Sequence, residues 1–166
     1  MIIRAMTDSD RAAIGELYAA SWKAGYAGLL PKVFLDALEP NKYEERSLEN
    51  GFLEPGSFVA VEGDRIIGHV HARPAAEEKM SGWGEIHTLY VHPDYWRGGI
   101  GSALLKYAME WLHNEGFNDI YLYVLIGNER AAALYRKTGF APNGDTLDCD
   151  IAGERVTDLR FTLHLG

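Results

Sequence analysis

A single cysteine, Cys149, stands in the 166 residues, so no disulfide can close within the chain and a bridge-stapled scaffold is excluded. Positive charge is also scarce. Sixteen Lys and Arg face 24 Asp and Glu, for a net charge of −8. Such a balance repels phosphate backbones unless a local basic stripe overrides it, and the chain has none, so nucleic acid is not an expected partner. Long apolar runs are missing too. Arg, Asp, Glu or Lys interrupt every stretch before the roughly 20 residues that a bilayer span requires, and no membrane association is expected. The opening MIIRAMTDSDR has neither the apolar centre nor the small-residue cleavage site of a secretory signal. A cytoplasmic protein is the expectation. The acidic surface weakly favours a cationic ligand, although solubility alone would account for it.

Hydrophobic residues make up 47% of the chain and charged residues 24%, an ordinary globular composition. Neither repeats nor a shift in composition divide it, so one domain over residues 1–166 is expected. Chains of this length bury roughly two-thirds of their unfolded surface, enough for a core and a cleft together.

Periodicity sets the element order. Residues 2–5 form a short strand, and Thr7-Asp8-Ser9-Asp10 has the form of a capping box. Ile14, Leu17, Tyr18, Ser21 and Trp22 then mark one apolar helical face. An aromatic turn at 25–31 leads into a second helix or helix pair that ends near Gly51. Strands at 57–62 and 65–71 flank Gly63-Asp64, a two-residue hairpin signal, and a third strand covers 85–91. From Ile100 the period becomes helical, through Leu104, Tyr107, Ala108, Trp111 and Leu112. A strand at 120–125 is apolar on both faces, as in a parallel crossover. Asn128 caps a short helix to about Thr138, and strands near 145–151 and 155–164 pair across Ala152-Gly153. The fold class is α+β: a mixed, mostly antiparallel sheet of about seven strands, with one parallel strand-helix-strand crossover at its centre and helices on both faces.

The segment Trp96-Arg97-Gly98-Gly99-Ile100-Gly101-Ser102 lies between a strand end and the start of the strongest helix. Its glycines let the backbone turn tightly and approach a ligand, and the free amides of the first helical turn suit an anion. Arg97 adds a bidentate donor. A nucleotide P-loop would need Lys-Ser/Thr after the last glycine, where Ser102-Ala103 stands, and a dinucleotide fingerprint would need a small residue where Leu104 stands. A phosphate cradle and a plain helix-starting turn stay open on this segment alone.

Together with Asn128 and Leu134-Tyr135-Arg136-Lys137-Thr138-Gly139-Phe140, that segment resembles the GNAT superfamily of acyl-CoA-dependent N-acetyltransferases. The likeness is close over residues 84–140, except that Trp96 stands where the family's pyrophosphate motif keeps Gln or Arg. The resemblance implies acetyl-CoA as cofactor. Its pyrophosphate would be held by Arg97, Gly98, Gly99, Ile100, Gly101 and Ser102. The pantetheine arm would lie along Leu89, Tyr90 and Val91, with a backbone N–H near Leu89 as oxyanion donor and a contact from Asn128. It also implies Glu85 as general base, with His87 or water as alternatives, and Tyr135 as general acid. Along the alternating strand Glu85, His87, Leu89 and Val91 share one face. Trp22, Tyr26 and Trp83 are candidates for an amine pocket.

The implied activity is direct acetyl transfer to a primary amine of a small molecule or peptide N-terminus, with no metal. Family habit leaves a homodimer open. A non-catalytic acyl-CoA-binding module is the alternative, and a metal site at His69 and His71 with Glu85 or His87 is a third reading.

Overall fold

The computed structural model describes residues 1–42 and 52–166. Strands β1 (Ile2–Ala5), β2 (Ser57–Glu62), β3 (Arg65–Pro74), β4 (Gly84–Val91), β5 (Asp119–Leu125), β6 (Ala141–Ile151) and β7 (Glu154–His164) form one sheet in the order β1-β2-β3-β4-β5-β7-β6. Every neighbouring pair is antiparallel except β4 and β5. The helices are α1 (Arg11–Gly25), α2 (Lys32–Asp36), α3 (Ile100–Asn114) and α4 (Glu129–Lys137). The mixed sheet, its parallel crossover and its two helical faces match the expected class. Of the expected second helix or helix pair, α2 is one turn, and residues 43–51 lie outside the described residues.

Each face of the sheet has its own core. On one face Ile100, Leu104, Leu105, Ala108 and Leu112 of α3 pack on Ala60, Val70, Ile86 and Leu122. Gly68 lets α3 come this close, since a methyl group there would lie 2.7 Å from Leu104 Cδ1. On the other face Ile14, Leu17 and Tyr18 of α1 pack with Met6, Phe52 and Val59. Fully burying each large aliphatic side chain contributes about 1.5–3 kcal/mol, so packing holds these helices more than their intrinsic propensity does.

The alternation expected along β4 is broken. His71 pairs with Thr88, but the next residue of β3, Ala72, pairs with Ile86, so His87 is an extra residue on β4. Such a bulge turns the strand by one position. Glu85 and His87 therefore share a face with Thr88 and Tyr90, toward α1 and Phe52, whereas Leu89 and Val91 join Ile86 on the α3 face.

The first connection is fastened by charge. Asp10 is buried, its carboxylate accepting from Arg4 Nη1 and Nη2 at 2.7 and 2.9 Å and from the Thr7 amide at 2.8 Å. The Arg4 hydrogen bonds outweigh burial and hold the carboxyl at about 2. A depressed carboxylate stabilises the fold above its unfolded value, near 3.8, and loses that contribution as pH falls through about 2. Arg4 is partly exposed, which screens the pair and limits its worth to roughly 1–2 kcal/mol. Asp10→Asn is expected to lower the melting temperature at pH 7 by roughly 2–8 °C, and thermal melts should show the gap to the unaltered protein closing between about pH 4 and pH 2.

Candidate active site

Only Gly84 and Glu85 of β4 pair with β5, opposite Ile120 and Tyr121. Beyond them the strands part and open a cavity of about 790 Å³, walled by β4, β5, α1, the loop before α3 and α4. That volume is within the range of small-molecule sites.

The cavity edge of β4 is partly free. Val91 C=O accepts from Ser21 Oγ at 3.1 Å and from Trp96 Nε1 at 2.8 Å, so the polar groups of Val91 face away from β3. The His92 amide instead bonds Ile67 O on β3 at 2.9 Å. Because strand polar groups alternate in direction, the N–H and C=O of Leu89 share the outward side with Val91 and face the gap. The Leu89 amide thus faces the gap between the strands. The Val91 carbonyl is already taken, and Tyr90 turns its carbonyl toward Gly68.

The loop before α3 is built differently from its sequence reading. Arg97 itself adopts a left-handed conformation (φ 65°), as does Gly99 (φ 80°) at the helix N-cap. For Arg97 that geometry costs on the order of 1 kcal/mol or more. No side chain caps α3, and its first backbone bond is from the Ala103 amide to Gly99 O at 3.0 Å. The amides of Ile100, Gly101 and Ser102 are therefore left to a ligand or water. Gly101 has a packing reason too: a methyl group there would lie 3.0 Å from Leu134 Cδ2 of α4. Arg97, Gly99, Ile100, Gly101 and Ser102 line the cavity, and Gly98 does not. Trp96 closes the end of β4, and the Arg130 guanidinium stacks 3.5 Å from its ring centroid.

Glu85 is buried, with Oε2 accepting from Arg73 Nε at 2.8 Å and Oε1 3.6 Å from His87 Nδ1. Burial alone would raise its carboxyl, but His87 and Arg73 outweigh it and hold it at about 2. Glu85 is therefore anionic and has little affinity for a proton. His71, 5.6 Å ring to ring from His87, and His69 are driven down to about 3, chiefly by burial, and are neutral. Both nitrogens of His69 are engaged, Nδ1 with Tyr18 Oη at 2.9 Å and Nε2 with Ser57 Oγ at 2.7 Å, which leaves none for a metal. Among the described residues no group of three or more His, Cys, Asp or Glu is arranged to hold one.

Tyr135 lies on the opposite wall, buried against Phe140 and Phe161. Burial pushes its hydroxyl up to about 12, so it is protonated. Asn128 also lines the cavity, but its Oδ1 accepts from the Ala131 amide at 3.3 Å and caps α4. Trp22 and Tyr26 meet edge to face at 4.8 Å on the α1 side. Trp83 does not join them: it sits in a separate hollow beside Phe117, against Tyr121 and His164.

Sequence reasoning missed Arg73, Arg130 and Asp158, all on the cavity wall. Arg73 was within reach, since it alternates with His69 and His71 along one strand. Arg130 and Asp158 carry no local signal.

A family model described as the acetyltransferase (GNAT) family matches residues 13–140. Mycothiol acetyltransferase of Streptomyces coelicolor is 32% identical over 104 residues, 63% of this chain and 33% of that protein. The chain spans about a third of the length of the mycothiol acetyltransferases it matches. Among solved structures, PaiA N-acetyltransferase from Thermoplasma acidophilum in complex with coenzyme A superposes with a TM-score of 0.77 at 24% identity, over 98% of both chains. A ribosomal-protein-alanine N-acetyltransferase from Brucella melitensis gives 0.76 at 23%, over 99% of this chain and 100% of its own. Among the described residues no helix is long and apolar enough to cross a membrane. The strand order, the cleft between the parted parallel strands and the family match agree: the chain belongs to the GNAT acetyltransferase family.

Proposed function

We propose that the protein transfers the acetyl group of acetyl-CoA directly to a primary amine. The observation that carries this reading is the parting of β4 and β5 beside the uncapped head of α3, which offers an extended amide-bearing arm and a pyrophosphate their complementary groups. The amides of Ile100, Gly101 and Ser102, with the helix dipole, favour the anion. Leu89 would pair the arm as an added strand, and its N–H would stabilise the carbonyl oxygen as charge develops on it.

An alkylammonium has no lone pair until it loses a proton. Glu85 has one oxygen on Arg73 Nε and the other facing His87 Nδ1, and these partners hold its carboxyl low, so His87 is assigned as base and Glu85 as the group that orients it. The bulge that adds His87 to β4 turns both toward the α1 side, where Trp22 and Tyr26 would receive the amine. Tyr135, on the opposite wall of the cavity, would face the departing sulfur. Surrendering its proton from about 12 to a thiolate of ordinary basicity, near 8.5, would run uphill by roughly 5 kcal/mol. Its role is therefore to donate a strong hydrogen bond that lowers the thiolate's energy.

Acetyl-CoA at 100 times its dissociation constant is expected to stabilise the protein by about 2.7 kcal/mol, or roughly 5–10 °C in a thermal melt. No shift at millimolar ligand would remove the cleft as a cofactor site. Binding without acetylation of any amine would leave a non-catalytic acyl-CoA-binding module. His87→Gln should lower kcat by about 10²-fold or more with little change in the acetyl-CoA KM. Glu85→Gln should lower kcat by less than His87→Gln does, with little change in the acetyl-CoA KM, and unchanged turnover would remove Glu85 as the group that orients the base. Tyr135→Phe should reduce kcat by roughly tenfold, the worth of one hydrogen bond, and unchanged turnover would strike it from the mechanism.

A further inference from the structure

Three carboxylates line the cavity, and two are already balanced. Glu85 is held by Arg73 and His87. Glu77 accepts from the Tyr123 hydroxyl and has Lys79 and Arg160 each within 3.5 Å. The third, Asp158 on β7, has no cation beside it among the described residues. Among those residues its one hydrogen bond is from the Cys149 thiol, with Sγ 4.0 Å from Oδ2.

The cations of the neighbourhood are committed elsewhere. Arg160 is spent on Tyr123, Asp145 and Glu77, and Arg130 is stacked on Trp96. Burial nonetheless pushes the Asp158 carboxyl up, as expected where nothing offsets the cost of its charge. Asp158 stands opposite Leu125 on one side and Leu147 on the other. It is close enough to Tyr26 for its charge to hold the Tyr26 hydroxyl up. Leu159 and Phe161 pack into the α3 core, so alternation turns Asp158 toward α1. An unpaired carboxylate beside the aromatic faces of Trp22 and Tyr26, with Leu147 and Ile151 as an apolar floor, has the chemistry of an ammonium seat.

That seat is far from the base. His87, two residues beyond Glu85 on β4, is offset from Asp158, which is level with Leu125, by about two residues along the strands and by the two strand spacings between β4 and β7, roughly 12 Å in all. One nitrogen does not meet both groups. We infer that Asp158 is a specificity-determining residue that holds a second positive charge of the acceptor, so that the amine acetylated belongs to a molecule with two cationic groups joined by an apolar spacer. The inference rests on the proposed acetyl transfer, with His87 at the reacting nitrogen.

Calorimetric titration of the CoA-loaded protein with α,ω-diaminoalkanes of four to eight carbons, each beside the monoamine and the amino alcohol of equal length, tests this without turnover. The best diamine is expected to bind at least tenfold more tightly than its monoamine and its amino alcohol, both of which lack the second charge. In Asp158→Asn that preference should fall to within twofold, with the melting temperature checked to show that the variant is folded. In steady-state assays the change should appear in the diamine KM and leave kcat within about threefold. Equal binding of diamine and amino alcohol by the unaltered protein, or a preference that survives Asp158→Asn, would overturn the proposal. A kcat loss equal for monoamine and diamine would also overturn it, placing Asp158 at the reacting nitrogen. Thiol release from acetyl-CoA with either amine reports separately on the acetyl-transfer reading.

Discussion

The parting of β4 from β5 after two paired residues is the constraint on which the site depends. Parallel strands normally continue their ladder, because every buried backbone donor and acceptor left without a partner costs free energy. Here β4 stays paired with β3 on either side of the His87 bulge, while beyond Glu85 its other edge separates from β5. The two cores hold the strands apart. Ile86 and Leu122 are pinned to α3, and Tyr18 of α1 reaches Thr88 and Tyr90 from the other face. Packing on both sides of the sheet thus maintains the opening.

The same arrangement separates the chemistry by wall. The uncapped amides lie at the head of α3, Tyr135 projects from α4, and Glu85, His87 and Asp158 face α1. Two of the wall's three carboxylates are neutralised by arginine, histidine or lysine. Asp158 is the third, with no cation beside it among the described residues.

Much of this was legible in the sequence because periodicity is local. The stripes of α1 and α3, the hairpin at Gly63-Asp64 and the reversal at Ala152-Gly153 all stand where their residue patterns put them. The glycine-rich loop and the helix bearing Tyr135 were found by their motifs. The facing of β4 was not legible: one extra residue shows only against the partner strand, so a period-two reading of residues 85–91 placed Glu85 and His87 with Leu89. The left-handed backbone at Arg97 was not legible for another reason, since its glycine neighbours are the residues that ordinarily take a positive φ. Arg130 and Asp158 acquire their surroundings only when distant segments meet, and Trp83 was misjudged because aromatic character says nothing about which hollow a ring fills.

The doubly bonded carbonyl of Val91 also protects the molecule. An interior strand edge left open is a template on which any extended segment could add, and that is how folded proteins begin to aggregate. Ser21 and Trp96 close the outer end of this edge, and β5 closes the inner end at Glu85. What remains around Leu89 suits a thin amide chain and is too short to nucleate a foreign strand. The cleft can thus stay permanently open to its ligand without being sticky to other proteins.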